Sequence, residues 1–304
     1  MLLTVAICTW NRSALLRETL ESLCRLRIPE ALSWEVLVVN NQCTDTTDDV
    51  MASFASRLPL QRVNEPKRGL SRARNAAVAR ASGDYILWTD DDVLVESGWL
   101  EAYVAAFRRW PDAVFFGGPV LPFFEAPLPP WLEAVWARVS HAYGMRDVGQ
   151  VPFRIMEPID LPYGANYAVR RKEQQRHLYE SRFGHHGLQR IGGEETTLLA
   201  QLLSEGSEGH WIPEAKVCHR VTPERMTIRY LRHYHVGHGR FLARAHDLPM
   251  HRRRGLRKVK QVVRTLKTAL VKEAGYRYQR VAGTPDKWVG ELMESSIAWG
   301  RLLG

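Results

Sequence analysis

The apolar residues of this chain come in short runs of two kinds, and the two kinds alternate. Leu3-Thr4-Val5-Ala6-Ile7-Cys8 has strand length, and Ser13 then caps a helix with Leu16, Leu20 and Leu23 at helical spacing. Val36-Leu37-Val38-Val39 is a second run, ending in Asn40-Asn41-Gln42-Cys43-Thr44-Asp45 before a helix to about Ser56. Leu60 to Val63 predicts a third strand. Ser71 opens an alanine-rich helix with Leu70, Ala73, Ala77 and Ala81 on one stripe. Asp84-Tyr85-Ile86-Leu87-Trp88 predicts a fourth strand, Trp99 to Arg109 a helix, and Ala113 to Phe116 a fifth strand. From Gly118 to Pro162 the pattern becomes irregular, with eight prolines. Helical spacing returns at Glu194 to Ser204 and at Met226 to Leu242. A last stripe follows in Leu256, Val259, Val262, Val263, Leu266 and Leu270.

Alternation of this kind predicts an α/β fold, a mixed, mostly parallel sheet flanked by helices, with ligands beyond the carboxyl ends of its strands. Thr9 to Asn11, Asn40 to Asp45 and Asp90 to Asp92 all fall at such ends, so they converge on one crevice. The triplet Asp90-Asp91-Asp92 is the most telling. On an extended backbone Asp90 and Asp92 point one way and Asp91 the other. Carboxylates held together at a strand end repel unless a cation lies between them, and a hard divalent metal on diphosphate oxygens is the usual reason. A solvated acidic turn is the plainer alternative.

Composition narrows the picture. The 304 residues, 45% hydrophobic, suffice for a full core. No apolar run nears the roughly 20 residues that span a bilayer, and no basic segment precedes Leu2 to Cys8. The expected location is therefore cytoplasmic, with the inner face of the cell membrane as a peripheral option. Cys8, Cys24, Cys43 and Cys218 lack CxxC spacing and predict free thiols. The net charge of +9 is uneven: between His251 and Arg280 there are eleven Lys or Arg and one acid, Glu273. That segment attracts polyanions of some kind.

Six motifs in order resemble the inverting glycosyltransferases of family 2, which have a GT-A fold. They are Thr4 to Arg12, Val38 to Thr47, Lys67 to Asn75, Gly83 to Asp92 with its DxD pattern, Tyr163 to Arg171, and Gly192 to Leu198. The resemblance covers roughly residues 3 to 245. It implies a hexosyl-type transferase using a nucleotide-sugar, UDP-linked by expectation, and Mn2+ or Mg2+. Residues 1–118 would bind the donor, 119–245 would carry the acceptor and catalytic side, and 246–304 would form a basic, amphipathic helical extension. By resemblance Asp92 is a metal ligand, Asp90 sits near the ribose or a metal-bound water, and His219 completes the coordination or is a structural histidine. Thr9, Asn11, Arg12, Asn40, Asn41, Asp45, Gly69 and Asp91 would line the donor site. Arg74 would meet the diphosphate or lie on the helix surface. Glu195 is the expected general base, with Glu194 beside it as the alternative. The family commonly has Asp at both Asn40 and Glu195, so base recognition and base placement can differ here.

For the acceptor, a glycan or a polyprenyl-linked glycan, Trp131, Trp136 and Asn166 are candidates; loop packing is the other reading for the two tryptophans. The basic stretch 252–272 would either lie on an anionic membrane or pack with a solvated face. A nucleotidyltransferase is a neighbouring reading, but it wants a glycine-rich loop after the first strand, where Thr9-Trp10-Asn11-Arg12 stands. A non-catalytic nucleic-acid-binding protein would use the basic segment and leave Asp90 to Asp92 and Glu194-Glu195 without purpose.

Overall fold

The computed structural model describes residues 1–186, 189–246 and 256–304. In chain order it contains β1 (Leu2–Thr9), α1 (Ser13–Leu23), β2 (Ser33–Asn40), α2 (Thr47–Phe54), β3 (Leu60–Asn64), α3 (Leu70–Arg80), β4 (Tyr85–Asp90), β5 (Val93–Val95) and α4 (Trp99–Arg109). There follow β6 (Phe115–Gly117), β7 (Val120–Phe124), α5 (Pro130–Glu133), α6 (Trp136–Val139), β8 (Phe153–Ile155), β9 (Tyr167–Arg170) and α7 (Arg171–Arg176). The remainder is β10 (Gly184–His186), β11 (Gln189–Ile191), α8 (Glu194–Ser204), β12 (Gly209–Trp211), β13 (Val217–Val221), α9 (Ile228–His246), α10 (Leu256–Ala282) and α11 (Pro285–Leu303).

An eight-stranded sheet runs in the order β3-β2-β1-β4-β9-β6-β12-β8. β1 to β4 are mutually parallel, β9 lies antiparallel between β4 and β6, and β8 closes the edge antiparallel to β12. This is the mixed, mostly parallel sheet that the alternation predicts. The chain builds outward from β1 to β3, then returns to place β4 on the other side of β1. Such a reversal opens a crevice at the carboxyl ends of the two strands. Register brings Thr9 opposite Asn40, and Cys8 opposite Asp90.

The pleat divides the core in two. Leu3, Val5, Ile7 and Leu87 join one buried cluster with α1, α2 and α4, while Ala6, Ile86 and Trp88 join another with α3 and α8. Asp90 is two residues beyond Trp88, so it emerges on the face that α3 and α8 cover. The strand therefore hands a carboxylate to those two helices.

The chain forms two compact units: 1–123, 144–182 and 194–220 make the first, and 124–143, 183–193 and 221–304 the second. The expected boundary at 245/246 adjoins residues 247–255, which lie outside the described residues, and the second unit takes in earlier segments as well. In it α9 and α10 pack on α11. The aliphatic stripe predicted on the basic helix is not the packed face. Ala269 is buried there, whereas Val262, Val263, Leu266 and Leu270 are exposed. Residues 252–255 of that basic stretch are outside the described residues. Among the described residues no helix is long and apolar enough to cross a membrane, and all four cysteines are free.

Candidate active site

The loops after β1 and β2 are knitted together by their own polar side chains. Asn11 adopts a left-handed φ of 51°, its Oδ1 accepts from the Thr44 N–H at 2.7 Å, and its amide donates to Thr44 Oγ1. Asp45 accepts from the Ser13 and Thr47 N–H groups, tying the second loop to the start of α1. Asn40 was expected to read a nucleobase, but it is buried and spent internally. Its amide donates to Asp48 at 2.7 Å and its carbonyl accepts from the Cys43 N–H at 2.7 Å. Asn41 likewise donates to the Glu65 and Lys67 carbonyls and accepts from the Gly69 N–H. Both asparagines are struts, a use that the same polar spacing at a strand end also serves. Gly69 (φ 138°) takes a conformation that only glycine adopts readily just before α3.

Between these loops a cavity of about 500 Å3 is lined by Trp10, Asn11, Gln42, Cys43, Thr44 and Arg68. The Arg68 guanidinium lies 3.6 Å from the Trp10 ring centroid. Neither residue was picked out from the sequence. They are far apart along the chain, and only the β1–β3 arrangement brings them together.

Asp91 and Asp92 turn to the other side of the crevice. Thr9 Oγ1 donates to Asp91 at 2.8 Å, and one nitrogen of Arg12 reaches Asp91 at 2.9 Å and Asp92 at 3.2 Å. Those acids, Asp91 above all, hold the Arg12 guanidinium firmly charged. Burial pushes the Asp91 carboxyl above the usual carboxylate range, with Arg12 drawing it back. Arg12 thus serves the acid cluster and does not line the cavity at Trp10 and Arg68. The other oxygen of Asp92 faces His219, whose Nε2 is 3.4 Å away, and both side chains are buried. β13 delivers His219 by pairing it with Val93, the residue after Asp92. A carboxylate and an imidazole converging on one point are a hard–borderline donor pair that suits Mn2+. Among the described residues no three His, Cys, Asp or Glu side chains group closely enough to hold an ion unaided. Asp92 and His219 would suit a divalent metal only if other ligands completed its shell.

On the α3/α8 face Arg74 occupies the centre. It is 3% exposed, with Glu194 at 3.0 Å, Asp90 at 3.6 Å and Glu195 at 3.9 Å. The rings of Trp88, Tyr167 and Tyr179 surround the guanidinium at 5.5 to 5.8 Å. Burial opposes the charge, yet the tyrosines and acids hold Arg74 protonated. Burial raises the Glu194 carboxyl while Arg74 pulls it down. Enclosure raises Asp90 as well, against Arg74, and the open third of its surface tempers that rise. Arg74 is therefore neither a helix-surface residue nor one whose fork is free for phosphate. Glycine at 164 makes the arrangement possible, since a Cβ there would lie 2.9 Å from Arg74 Nη2 and 3.4 Å from Glu195 Cδ.

The acceptor candidates divide. Asn166 is completely buried; its carbonyl accepts from Trp99 Nε1 and Tyr103 Oη, and its amide donates to the Pro119 and Ala215 carbonyls. Nothing of it is left for a sugar. Trp131 and Trp136 belong to the second unit, where Trp131 tilts on Trp288 at 5.5 Å and Trp136 meets Phe124 and Tyr143.

The crevice at the carboxyl ends of the sheet carries acids on both walls, Asp90 with Glu194 and Glu195 on one and Asp91 with Asp92 on the other. The description Glycosyl transferase family 2 matches residues 4–159, half of the chain, and the protein belongs to that family. Succinoglycan biosynthesis protein ExoM of Rhizobium meliloti is 27% identical over 259 residues, covering 80% of this chain and 76% of its own. Glucosyl-dolichyl phosphate glucuronosyltransferase of Haloferax volcanii is 25% identical, covering 76% and 73%. Among solved structures, the mannosyltransferase PcManGT of Pyrobaculum calidifontis, in complex with GDP-Man and Mn2+, has a TM-score of 0.63 at 17% identity over 99% of this chain and 86% of that one. The S. aureus TarS 1–349 complex with UDP-GlcNAc has a TM-score of 0.52 at 14% identity over 97% and 91%. The nucleotidyltransferase and nucleic-acid-binding readings fall with the family assignment.

Proposed function

We propose that this glycosyltransferase moves a sugar, with inversion, from a nucleoside-diphosphate sugar to a hydroxyl of a glycan or polyprenyl-linked glycan, using a divalent metal. The observation that carries the reading is the grouping of Asp90, Glu194 and Glu195 around one buried arginine at the switch point of the sheet. Glu195 is the general base. Glu194 is 4% exposed and engaged with Arg74 at 3.0 Å, whereas Glu195 is 14% exposed and stands off at 3.9 Å. The nearer carboxylate anchors the cation; the more open one meets the substrate. Arg74, 3.9 Å from it, positions Glu195.

In the reaction the acceptor oxygen loses its proton to Glu195 and attacks the anomeric carbon from the face opposite the leaving group. The anomeric C–O bond breaks and its electron pair stays on the diphosphate. Asp92 and His219 would hold Mn2+ or Mg2+, which neutralises charge developing on the departing diphosphate. The base of the donor stacks in the cavity at Trp10 and Arg68. UDP is the first candidate, GDP the second, since Asn40 is not available to read either. The names of two neighbours, with GDP-Man and Mn2+ in one and UDP-GlcNAc in the other, support a donor and metal of this class.

A thermal-shift panel of nucleoside diphosphates with Mn2+, Mg2+ or EDTA tests the reading, because a ligand of the native state raises Tm with occupancy. The expected result is a metal-dependent rise with one nucleotide, lost in Asp92→Ala. Metal-independent binding that survives Asp92→Ala would overturn the metal assignment.

A further inference from the structure

α10 has two unlike faces. Its inner face is committed within the second unit: Ala269 is buried, Ser295 Oγ donates to its carbonyl, and Lys272 pairs with Glu291 and Glu294 at 3.2 Å each. Glu273, the one acid between Leu256 and Ala282, is also used there, accepting from Arg232 at 2.8 Å and from Ser295 at 2.9 Å. The outer face consequently carries no acid. It presents Val263, Leu266, Leu270, Val271, Tyr278 and Val281, from 41% exposed at Leu266 to 91% at Val281. At about 100° per residue, Val263, Leu266, Leu270, Ala274 and Val281 fall on one stripe. That stripe is about 27 Å long at 1.5 Å per residue. Arg264 and Lys267, both exposed, lie along one side of it.

We propose that this outer face of α10 docks on a bilayer surface containing anionic lipid. An aliphatic stripe gains by leaving water for the acyl boundary, and cations beside it on long stems reach back to the headgroup phosphates. Charge complementarity selects this occupant over the others. A second copy would bring the same cations to a face with no acid to receive them. Nucleic acid would satisfy the cations and leave the aliphatic stripe in water. This inference does not rest on the transfer chemistry and is tested without it.

Flotation of the full chain with vesicles decides the matter, comparing phosphatidylcholine mixed with phosphatidylglycerol against phosphatidylcholine alone. Expected is binding at least about tenfold stronger to the anionic vesicles, from roughly 1 kcal/mol per cation near the surface. Arg264→Gln with Lys267→Gln should erase most of that preference, and Val263→Asp with Leu270→Asp should abolish binding at any salt. An unchanged melting temperature and a retained nucleotide shift keep loss of fold out of the comparison. A Leu266→Trp reporter, expected to shift blue and to be quenched by brominated lipid, gives a readout independent of affinity. No binding to either vesicle, binding indifferent to the aspartates, or a concentration-dependent dimer that shields the reporter instead would overturn the proposal.

Discussion

Two arginines hold acids at the end of the same strand, on opposite sides of it, and they do so in different media. Arg74 is 3% exposed and ringed by aromatic faces; Arg12 is 38% exposed. A buried cation and its carboxylates cannot part without leaving a bare charge in a poorly polarisable interior, so the Arg74 group holds its geometry. Arg12 is open to water on one side while its two carboxylates are buried, so the guanidinium is more readily replaced by another cation than simply removed. The contrast suits the two jobs proposed for the crevice. The α3/α8 wall has to keep a base aimed, whereas the Asp91–Asp92 wall has to exchange an arginine contact for a metal and its diphosphate.

The sharpest way to break this comparison is Arg74→Ala, which strands Glu194 in a buried site. Stability should fall by about 3–5 kcal/mol in urea unfolding, and turnover by more than about a hundredfold. Arg74→Lys, which keeps charge without the planar fork, should recover part of the stability and less of the turnover. If Arg74→Ala unfolds at the wild-type urea concentration, the wall is not built on that charge. Glu195→Gln should separate the two acids of α8. It lowers kcat by about 10²–10⁴ with Tm nearly unchanged, while Glu194→Gln should act mainly on stability. Equal kcat losses without stability loss would leave the base unassigned between them. Gly164→Ala crowds Arg74 and Glu195 together and should cut kcat about ten- to a hundredfold with the donor KM preserved. A normal kcat would mean the loop gives way instead. Arg12→Ala leaves the buried Asp91 and Asp92 without their cation and should lower stability by about 1–3 kcal/mol in metal-free buffer, less than Arg74→Ala. Its mark should be a larger Mn2+-induced rise in Tm, as Asp91 and Asp92 lose their resident cation; no extra rise would separate Arg12 from the metal.

Much of the fold was legible because the strongest signals were local. Leu3, Val5 and Ile7 alternate with residues of the opposite face, and Glu194 to Ser204 forms the helix that its leucine spacing predicts. β9 escaped because Tyr167 to Arg170 is four residues long and its antiparallel pairing depends on β4 and β6, both distant in sequence. The acids of the site were legible as acids, yet their environment was not. Nothing in the spacing says that Arg74 would be enclosed by Trp88, Tyr167 and Tyr179. Nor does a polar residue at a strand end announce whether it meets a ligand or braces its own loop. Asn40, Asn41 and Asn166 were expected to do the first and do the second. The pairing of Trp10 with Arg68 was hidden for the same reason, since stacking across loops leaves no periodic trace.

The insertion of β9 beside β4 has a consequence during synthesis. β4 carries Tyr85, Ile86, Leu87 and Trp88, and its partner on one side, Tyr167 to Arg170, is made about eighty residues later. At roughly 5–20 residues per second a nascent chain carries that apolar strand with an open edge for about 4–16 s. An open, apolar edge is a template for pairing with another chain. The growing polypeptide therefore passes through an interval in which half of its sheet is ready and unshielded, and whatever occupies that edge first competes with its own β9.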